Sequence, residues 1–404
     1  MSFHVDYKKS TSELCSIAVK HGCFRSKTRK MQLCHPYTLF YNSLFKDKRD
    51  HQLVIAELGI RDGATLLMWN EYFSRSMLYG FESNIQLVNA FENNFSNDRM
   101  KVNHIDAKNQ SSIAQAFHAV GMQYDLIIGN SSPIFDDHIK IIRDAYSYLK
   151  PGGMLIIENV QNIYLEKDYI KELKSVLAMF QDYYFITMTH QNRISDNSKN
   201  SNNDKLFVLV KEGAEPIFKN KKKMTIITPS MRPNNLITVY DSINFDYVDE
   251  WIIVYDGSKI SENPNLFAHA KNGKIKEYIH TSEGISGNPQ RNYALDHVQN
   301  DDTYLYFVDD DNVIHQDLYQ LLDILDDGKM YTFDQERRLN GDCIELGRID
   351  TAMVLIDFKL CKDSRWILNE YAADFYFFNE CYQKNKNHWI YFNNVFCTYN
   401  KLPR

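Results

Sequence analysis

The chain has 404 residues, 44% of them hydrophobic and 24% charged, and a formal net charge of −6. That length exceeds one ordinary core and predicts two globular domains. The negative balance argues against a nucleic-acid binder, which needs a basic excess to neutralise phosphates. No apolar run approaches the ~20 residues that cross a bilayer, so no transmembrane segment is expected. Met1–Asp6 opens without the apolar core of a signal peptide.

Seven cysteines without tight pairing predict reduced thiols and a cytoplasmic location. Cys15, His21, Cys23, Cys34 and His35 lack a C-x-x-C knuckle and read as scattered residues in preference to a zinc site.

In chain order, the first α/β pattern starts at Gln52–Leu58, an apolar strand closed by Gly59 and followed by Gly63. Glycine there lets backbone approach a ligand, but the spacing is not G-x-G-x-x-G, which disfavours a dinucleotide. Met77–Phe81 is the next strand, with Glu82 placed to hold ribose hydroxyls. Val102–Ile105 ends at Asp106, Tyr124–Gly129 ends at Asn130, and Lys150–Asn159 is a turn and a fifth strand. Asp136, Asp137 and His138 read as surface residues at a helix start. The polar stretch Ser195–Lys205 holds no apolar residue and reads as a loop. Leu206–Val210 is one more strand, and the basic run Lys219–Lys223, broken by Asn220, is a solvated linker. The expected domains are 1–215 and 222–404. Alternating strands and helices in both predict parallel sheets.

The second pattern starts at Met224–Thr228 and opens into Pro229, Ser230, Met231, Arg232 and Pro233. Trp251–Tyr255 ends in Asp256-Gly257-Ser258, where an acid can hold a ribose hydroxyl or a base edge. Gly284–Leu295 is a flexible loop entering a helix whose N-terminus and Arg291 favour an anion such as a pyrophosphate. Tyr304–Val308 runs into Asp309, Asp310, Asp311 and Asn312. Adjacent carboxylates at a strand's C-terminal end fall in the crevice of an open α/β sheet, and hard oxygen ligands suit Mn²⁺ or Mg²⁺. The bland alternative is a solvated turn.

This series (Thr-Pro-Ser-Met-Arg-Pro, Tyr-Asp-Gly, Gln-Arg-Asn-Tyr-Ala-Leu, Tyr-Phe-Val-Asp-Asp-Asp-Asn) resembles the GT-A glycosyltransferases. It is closest to family 43 glucuronyltransferases, with family 2 as the broader match. The resemblance implies a nucleotide-sugar donor, first of all a UDP-sugar, and a glycan acceptor. It puts Thr228, Pro229, Ser230, Arg232, Asp256, Arg291, Asp309 and Asp310 at the donor, with Asp311 and Asp309 on the metal as the D-x-D element. Asp350–Asp357 resembles the acceptor-side strand. Asp374, ahead of an aromatic helix whose faces suit sugar rings, stands where these families carry the catalytic base. It reads equally well as a helix cap. Glu380 should point elsewhere, and His388 reads as structural in preference to a metal ligand.

Residues 51–160 resemble the class I S-adenosylmethionine methyltransferases, in particular the macrocin-type sugar O-methyltransferases. Together the resemblances give the fold class: α/β, a Rossmann-like methyltransferase fold followed by a GT-A fold. They imply S-adenosylmethionine held by Glu57, Gly59, Gly63, Glu82 and Asp106. Here Gly129-Asn130-Ser131-Ser132-Pro133 and Ile157-Glu158-Asn159 replace that subgroup's acids and histidine, which puts metal-assisted methyl transfer in doubt. Three readings stay open: a glycosyltransferase fused to a methyltransferase-like domain that methylates or positions the glycan, a sugar O-methyltransferase with a carbohydrate-binding second domain, and a non-catalytic glycan-binding protein.

Overall fold

The structure is a computed structural model. It describes all residues except 24–35, 96, 106–111, 192–203, 220–221, 261, 263, 271–272 and 404. Asp106, Cys34, His35 and most of the polar stretch Ser195–Lys205 thus lie outside the described residues. The chain divides into two compact α/β units, Met1–Lys219 and Asn220–Arg404. No described helix is long and apolar enough to cross a membrane.

The first unit runs β1 (Ser2–Asp6), α1 (Glu13–Lys20), α2 (Tyr37–Phe45), β2 (Val54–Leu58), α3 (Ala64–Tyr72), β3 (Met77–Glu82), α4 (Ile85–Phe95), β4 (Met100–His104), α5 (Ser112–Val120), β5 (Tyr124–Gly129), α6 (Phe135–Ala145), β6 (Leu149–Ile157), α7 (Glu166–Glu172), α8 (Lys174–Leu177), β7 (Phe180–Thr189) and β8 (Lys205–Lys211). Its strands lie in the order β1-β7-β8-β6-β5-β2-β3-β4. Every residue of β5 is buried, as expected of a central strand covered by helices on both faces. Strand order reverses between β2 and β5, so their C-terminal ends, at Gly59 and Asn130, open the crevice where such sheets bind ligands.

The second unit runs β9 (Met224–Ser230), α9 (Leu236–Asp241), β10 (Val248–Asp256), β11 (Ile275–His280), α10 (Asn288–Leu295), β12 (Tyr304–Phe307), α11 (Asp317–Leu322), β13 (Met330–Gln335), β14 (Val354–Asp357), α12 (Ala373–Lys384) and β15 (Trp389–Cys397). The order is β11-β10-β9-β12-β14-β13-β15. Here the reversal falls between β9 and β12, which puts Ser230 and the acidic run at the mouth of the crevice.

Neither sheet is purely parallel, which corrects the sequence expectation. β8 runs antiparallel to both β6 and β7, and β14 runs antiparallel to β12 and β13. β7 and β8, and β13 and β14, follow one another with no α-helix among the described residues between them, which antiparallel pairing allows. Two of the α12 rings are not open to a sugar. Phe377 and Phe378 are buried against Phe307, and the Phe377 ring stacks on Trp366 at 4.8 Å.

Candidate functional site

β9, β10 and β12 deliver their ends to one cavity of about 770 Å³ in the second unit, within the size range of small-molecule sites. Pro229, Ser230, Arg232, Asp256, Arg291, Asp309, Asp310, Asp311 and Asp374 all line it. Thr228 does not. Its side chain is buried and its Oγ1 accepts a bond from the Trp251 indole N–H at 2.9 Å, so it supports the core behind the cavity.

The three aspartates have separate jobs. Asp310 is 2% exposed. It accepts bonds from the Ser230 hydroxyl at 3.0 Å, the Met231 and Arg232 amides at 2.9 and 2.7 Å, and Arg232 Nε at 2.8 Å. It therefore pins the segment after β9 to the end of β12. Arg232 reaches on to Asp311 at 3.1 Å. Arg291 pairs with Asp309. Burial, then the Asp309 carboxylate, holds Asp311 above the usual carboxylate range even with Arg232 beside it.

These residues fit a hard divalent cation. Asp309 and Asp311 offer carboxylate oxygens, and the side-chain oxygen of Asn312, a residue lining the same cavity, is buried without a hydrogen-bond partner. Among the described residues, no group of three His, Cys, Asp or Glu is already gathered for a metal. His388 lies outside the cavity lining and bonds the Gly328 carbonyl at 2.7 Å through Nδ1.

Arg291 is held in place from several sides. It is 4% exposed, donates to the Ser286 carbonyl at 2.6 Å, and lies over the Trp366 ring at 4.6 Å. The loop ahead of it turns at Gly287, where φ is +75° and a Cβ would sit 2.7 Å from Pro229 Cβ. Only glycine lets α10 approach β9 so closely.

Asp374 is the second residue of α12. The capping position is Ala372, and Asp374 takes a place in the first turn instead. Its Oδ1 accepts the Phe375 amide at 2.8 Å. Burial, reinforced by the Asp350 and Asp309 carboxylates and opposed by Arg291, pushes it up to about 6. Glu380 is turned away, bonded to Ser364 and Lys384. Sequence reasoning missed Arg338, Leu346, Trp366, Tyr371 and Tyr399, which also line the cavity. They sit in irregular segments with no periodicity or motif to mark them.

The crevice of the first unit is different. Gly59, Ile60, Arg61, Thr65, Asn130, Glu158 and Asn159 surround a cavity of only about 50 Å³. A Cβ on Gly59 would meet the Asn130 carbonyl oxygen at 2.8 Å, and Gly63, at φ +79°, faces the Phe91 ring. Glu57 is buried and accepts the Thr65 hydroxyl at 2.7 Å. Glu82 accepts the amides of Arg61, Ser83 and Asn84 at 2.8, 2.9 and 3.0 Å. Its two oxygens already bind the turn around the crevice. With Asp106 outside the described residues, the described part of the crevice is much smaller than the several hundred Å³ of a small-molecule site.

Where the macrocin-type enzymes carry acids, the Asn159 side-chain amide donates to Asn130 Oδ1 at 2.8 Å. Two facing carboxylates could not make that bond without a proton or a cation between them. His138, expected on the surface, is fully buried instead. Nε2 meets the Ser132 carbonyl at 2.7 Å and Nδ1 the Tyr169 hydroxyl at 2.8 Å, and burial holds its pKa below the ordinary histidine value. Cys15 bonds Ser12 and Thr38, and His21 bonds Glu71, so these two zinc candidates serve local packing.

The second unit is a mixed α/β sheet with an acidic run facing two arginines across its switch point. Residues 225–399 match the family model Glycosyl transferase family 2, so of the two families the sequence resembles, the broader one is the match found. The N-terminal region is similar to sugar O-methyltransferases. It is 25% identical over 158 residues to the 8-demethyl-8-alpha-L-rhamnosyl tetracenomycin-C 2'-O-methyltransferase of Streptomyces olivaceus, covering 37% of this chain and 38% of that protein. It is 21% identical over 180 residues to the demethylmacrocin O-methyltransferase of Streptomyces fradiae, covering 40% and 44%. The chain thus spans less than half the length of these curated relatives. Among solved structures, a methyltransferase of the mycinamycin biosynthetic pathway in complex with Mg and SAH aligns at TM-score 0.37 and 15% identity, over 52% of this chain and 58% of that one.

Proposed function

We propose that the protein is a metal-dependent hexosyltransferase that moves a sugar from a nucleotide-diphosphate donor, UDP-sugar first, to a glycan hydroxyl. The observation that carries this reading is the single cavity lined by Asp256, Arg232, Arg291, Asp309, Asp311 and Asp374. Asp256, at the end of β10, accepts an N–H from the nucleobase or a ribose hydroxyl. Arg232 and Arg291 face the diphosphate. Asp309 and Asp311, the D-x-D pair, would hold Mn²⁺ or Mg²⁺, which would supply positive charge against the departing diphosphate.

Asp374 takes the proton from the acceptor hydroxyl as its oxygen bonds to the anomeric carbon. The bond from that carbon to the diphosphate oxygen breaks, and the electron pair leaves with the nucleotide. One displacement of this kind inverts the anomeric centre. The test is hydrolysis of UDP- and GDP-sugars with Mn²⁺, comparing wild type with Asp311→Ala. A loss of ~100-fold or more is expected, since a catalytic cation is worth several kcal/mol. Equal turnover would remove the metal assignment, and preference for GDP-sugars would remove the choice of uracil.

The first unit, on this reading, positions the glycan and does not methylate it. The neutral Asn130–Asn159 pair and the small crevice support that role over methyl transfer. Calorimetry with S-adenosylmethionine tests it, and saturable heat lost on Glu82→Ala would restore the methyltransferase reading. The described cysteines are all free thiols, which supports work in the cytoplasm.

A further inference from the structure

The two most solvent-exposed large apolar side chains among the described residues are Tyr371, at 86%, and Leu346, at 61%. Both line the cavity of the second unit. Singly exposed apolar residues are ordinary, but the extremes of the distribution meeting at one cavity are not, and such residues mark surfaces that a ligand covers.

Their segments also meet the base. Leu346 belongs to the stretch 336–350, which ends at Asp350, and the Asp350 carboxylate lies close enough to act on Asp374. Tyr371 stands three residues before Asp374, at the entry to α12. The donor residues come from elsewhere, at the ends of β9, β10 and β12 and the start of α10. Of the rings of α12, Phe377 and Phe378 are committed to the core with Trp366, and Tyr376, though 41% exposed, does not line the cavity, so Tyr371 is the exposed aromatic ring on the cavity wall beside the base.

We infer that Tyr371 and Leu346 form the acceptor platform, and that the acceptor is a pyranoside whose C–H face stacks on the Tyr371 ring while Leu346 covers its edge. This rests on the transferase reading above and narrows it, because a ring face is demanded as well as a hydroxyl. An acyclic polyol offers hydroxyls without such a face. The phenol hydroxyl of Tyr371 is not required, since stacking is a property of the ring.

The experiment uses the full chain with Mn²⁺ and a UDP-sugar, with a panel of methyl hexopyranosides as acceptors and glycerol as the acyclic control. Acceptor KM and donor KM are measured separately for wild type, Tyr371→Ala, Tyr371→Phe and Leu346→Ala. Expected is transfer to at least one pyranoside and none to glycerol. Acceptor KM should rise about tenfold in Tyr371→Ala, the upper end of an aromatic contact, and return to wild type in Tyr371→Phe. Donor KM should stay constant, which also shows that the variants are folded. Unchanged acceptor KM in Tyr371→Ala, transfer to glycerol as good as to pyranosides, or donor turnover without transfer to any pyranoside overturns the platform. A wild type that turns over no nucleotide sugar at all instead overturns the transferase reading.

Discussion

Replacing Asp374 with asparagine separates catalysis from stability, because the same environment acts on both. The carboxyl is pushed from its ordinary 3.8 to about 6, so at pH 7 it is about nine-tenths ionised and ready to accept a proton. Free-enzyme kcat/KM should therefore climb with pH up to about 6 and then level off. The amide of Asp374→Asn cannot take the proton, and a fall in kcat of roughly 100- to 10,000-fold is expected. Stability should move the other way. The folded pKa lies above the unfolded one, so folding favours the protonated acid. This group's contribution is full below pH ~4 and is lost as pH rises through about 6. The shift of about two units corresponds to roughly 3 kcal/mol, and solvent screening of the part-exposed group reduces it to about 1–2 kcal/mol. The neutral amide removes that cost, so Asp374→Asn should be more stable than wild type at pH 7.5 and indistinguishable at pH 4. Urea titrations at both pH values, beside steady-state transfer kinetics from pH 5 to 8, read both effects. A flat acid limb, or a variant that keeps a tenth of its kcat, refutes the assignment of the base; a variant destabilised at pH 7.5 refutes the account of its pKa.

Gly287→Ala puts a Cβ against Pro229 at a left-handed φ, and should cost about 1–3 kcal/mol in a urea titration while weakening donor binding through α10. A donor KM equal to wild type would mean that α10 does not position Arg291. In the first unit, Asn130→Asp with Asn159→Asp turns a donor–acceptor bond into two facing acids. The double variant should lose about 1–3 kcal/mol and regain it with millimolar Mg²⁺, read as a shift in Tm. No Mg²⁺-dependent recovery would show that these side chains do not face each other closely enough to share an ion.

Much of the second unit was legible because its signals are local. Strands of four to nine residues, ending at or just before Ser230, Asp256 and Asp309, announce a crevice, and the order of motifs fixes which residues enter it. What the sequence could not carry is direction. Asp309, Asp310 and Asp311 look alike in a string, yet the amides of Met231 and Arg232, some eighty positions earlier, claim Asp310 alone. Thr228 shares a strand face with Ser230 but sits one pleat further from the strand end, where it meets Trp251 instead of the cavity. His138 looked like a surface residue at a helix start. Only the packing of α7, which brings Tyr169 to it, makes it a core residue. Tyr371 and Leu346 were invisible because irregular segments have no period to betray which side chains stay uncovered.

The anchoring of Asp310 also bears on how this acidic run can vary. Its neighbours on either side could trade carboxylate for another oxygen donor and still serve a cation. The central position is a fastener, clamped by four hydrogen bonds from a three-residue stretch, and one extra methylene would lift that stretch off the end of β12. Substitution profiles across these sites should therefore be narrowest in the middle, where glutamate would fare no better than alanine.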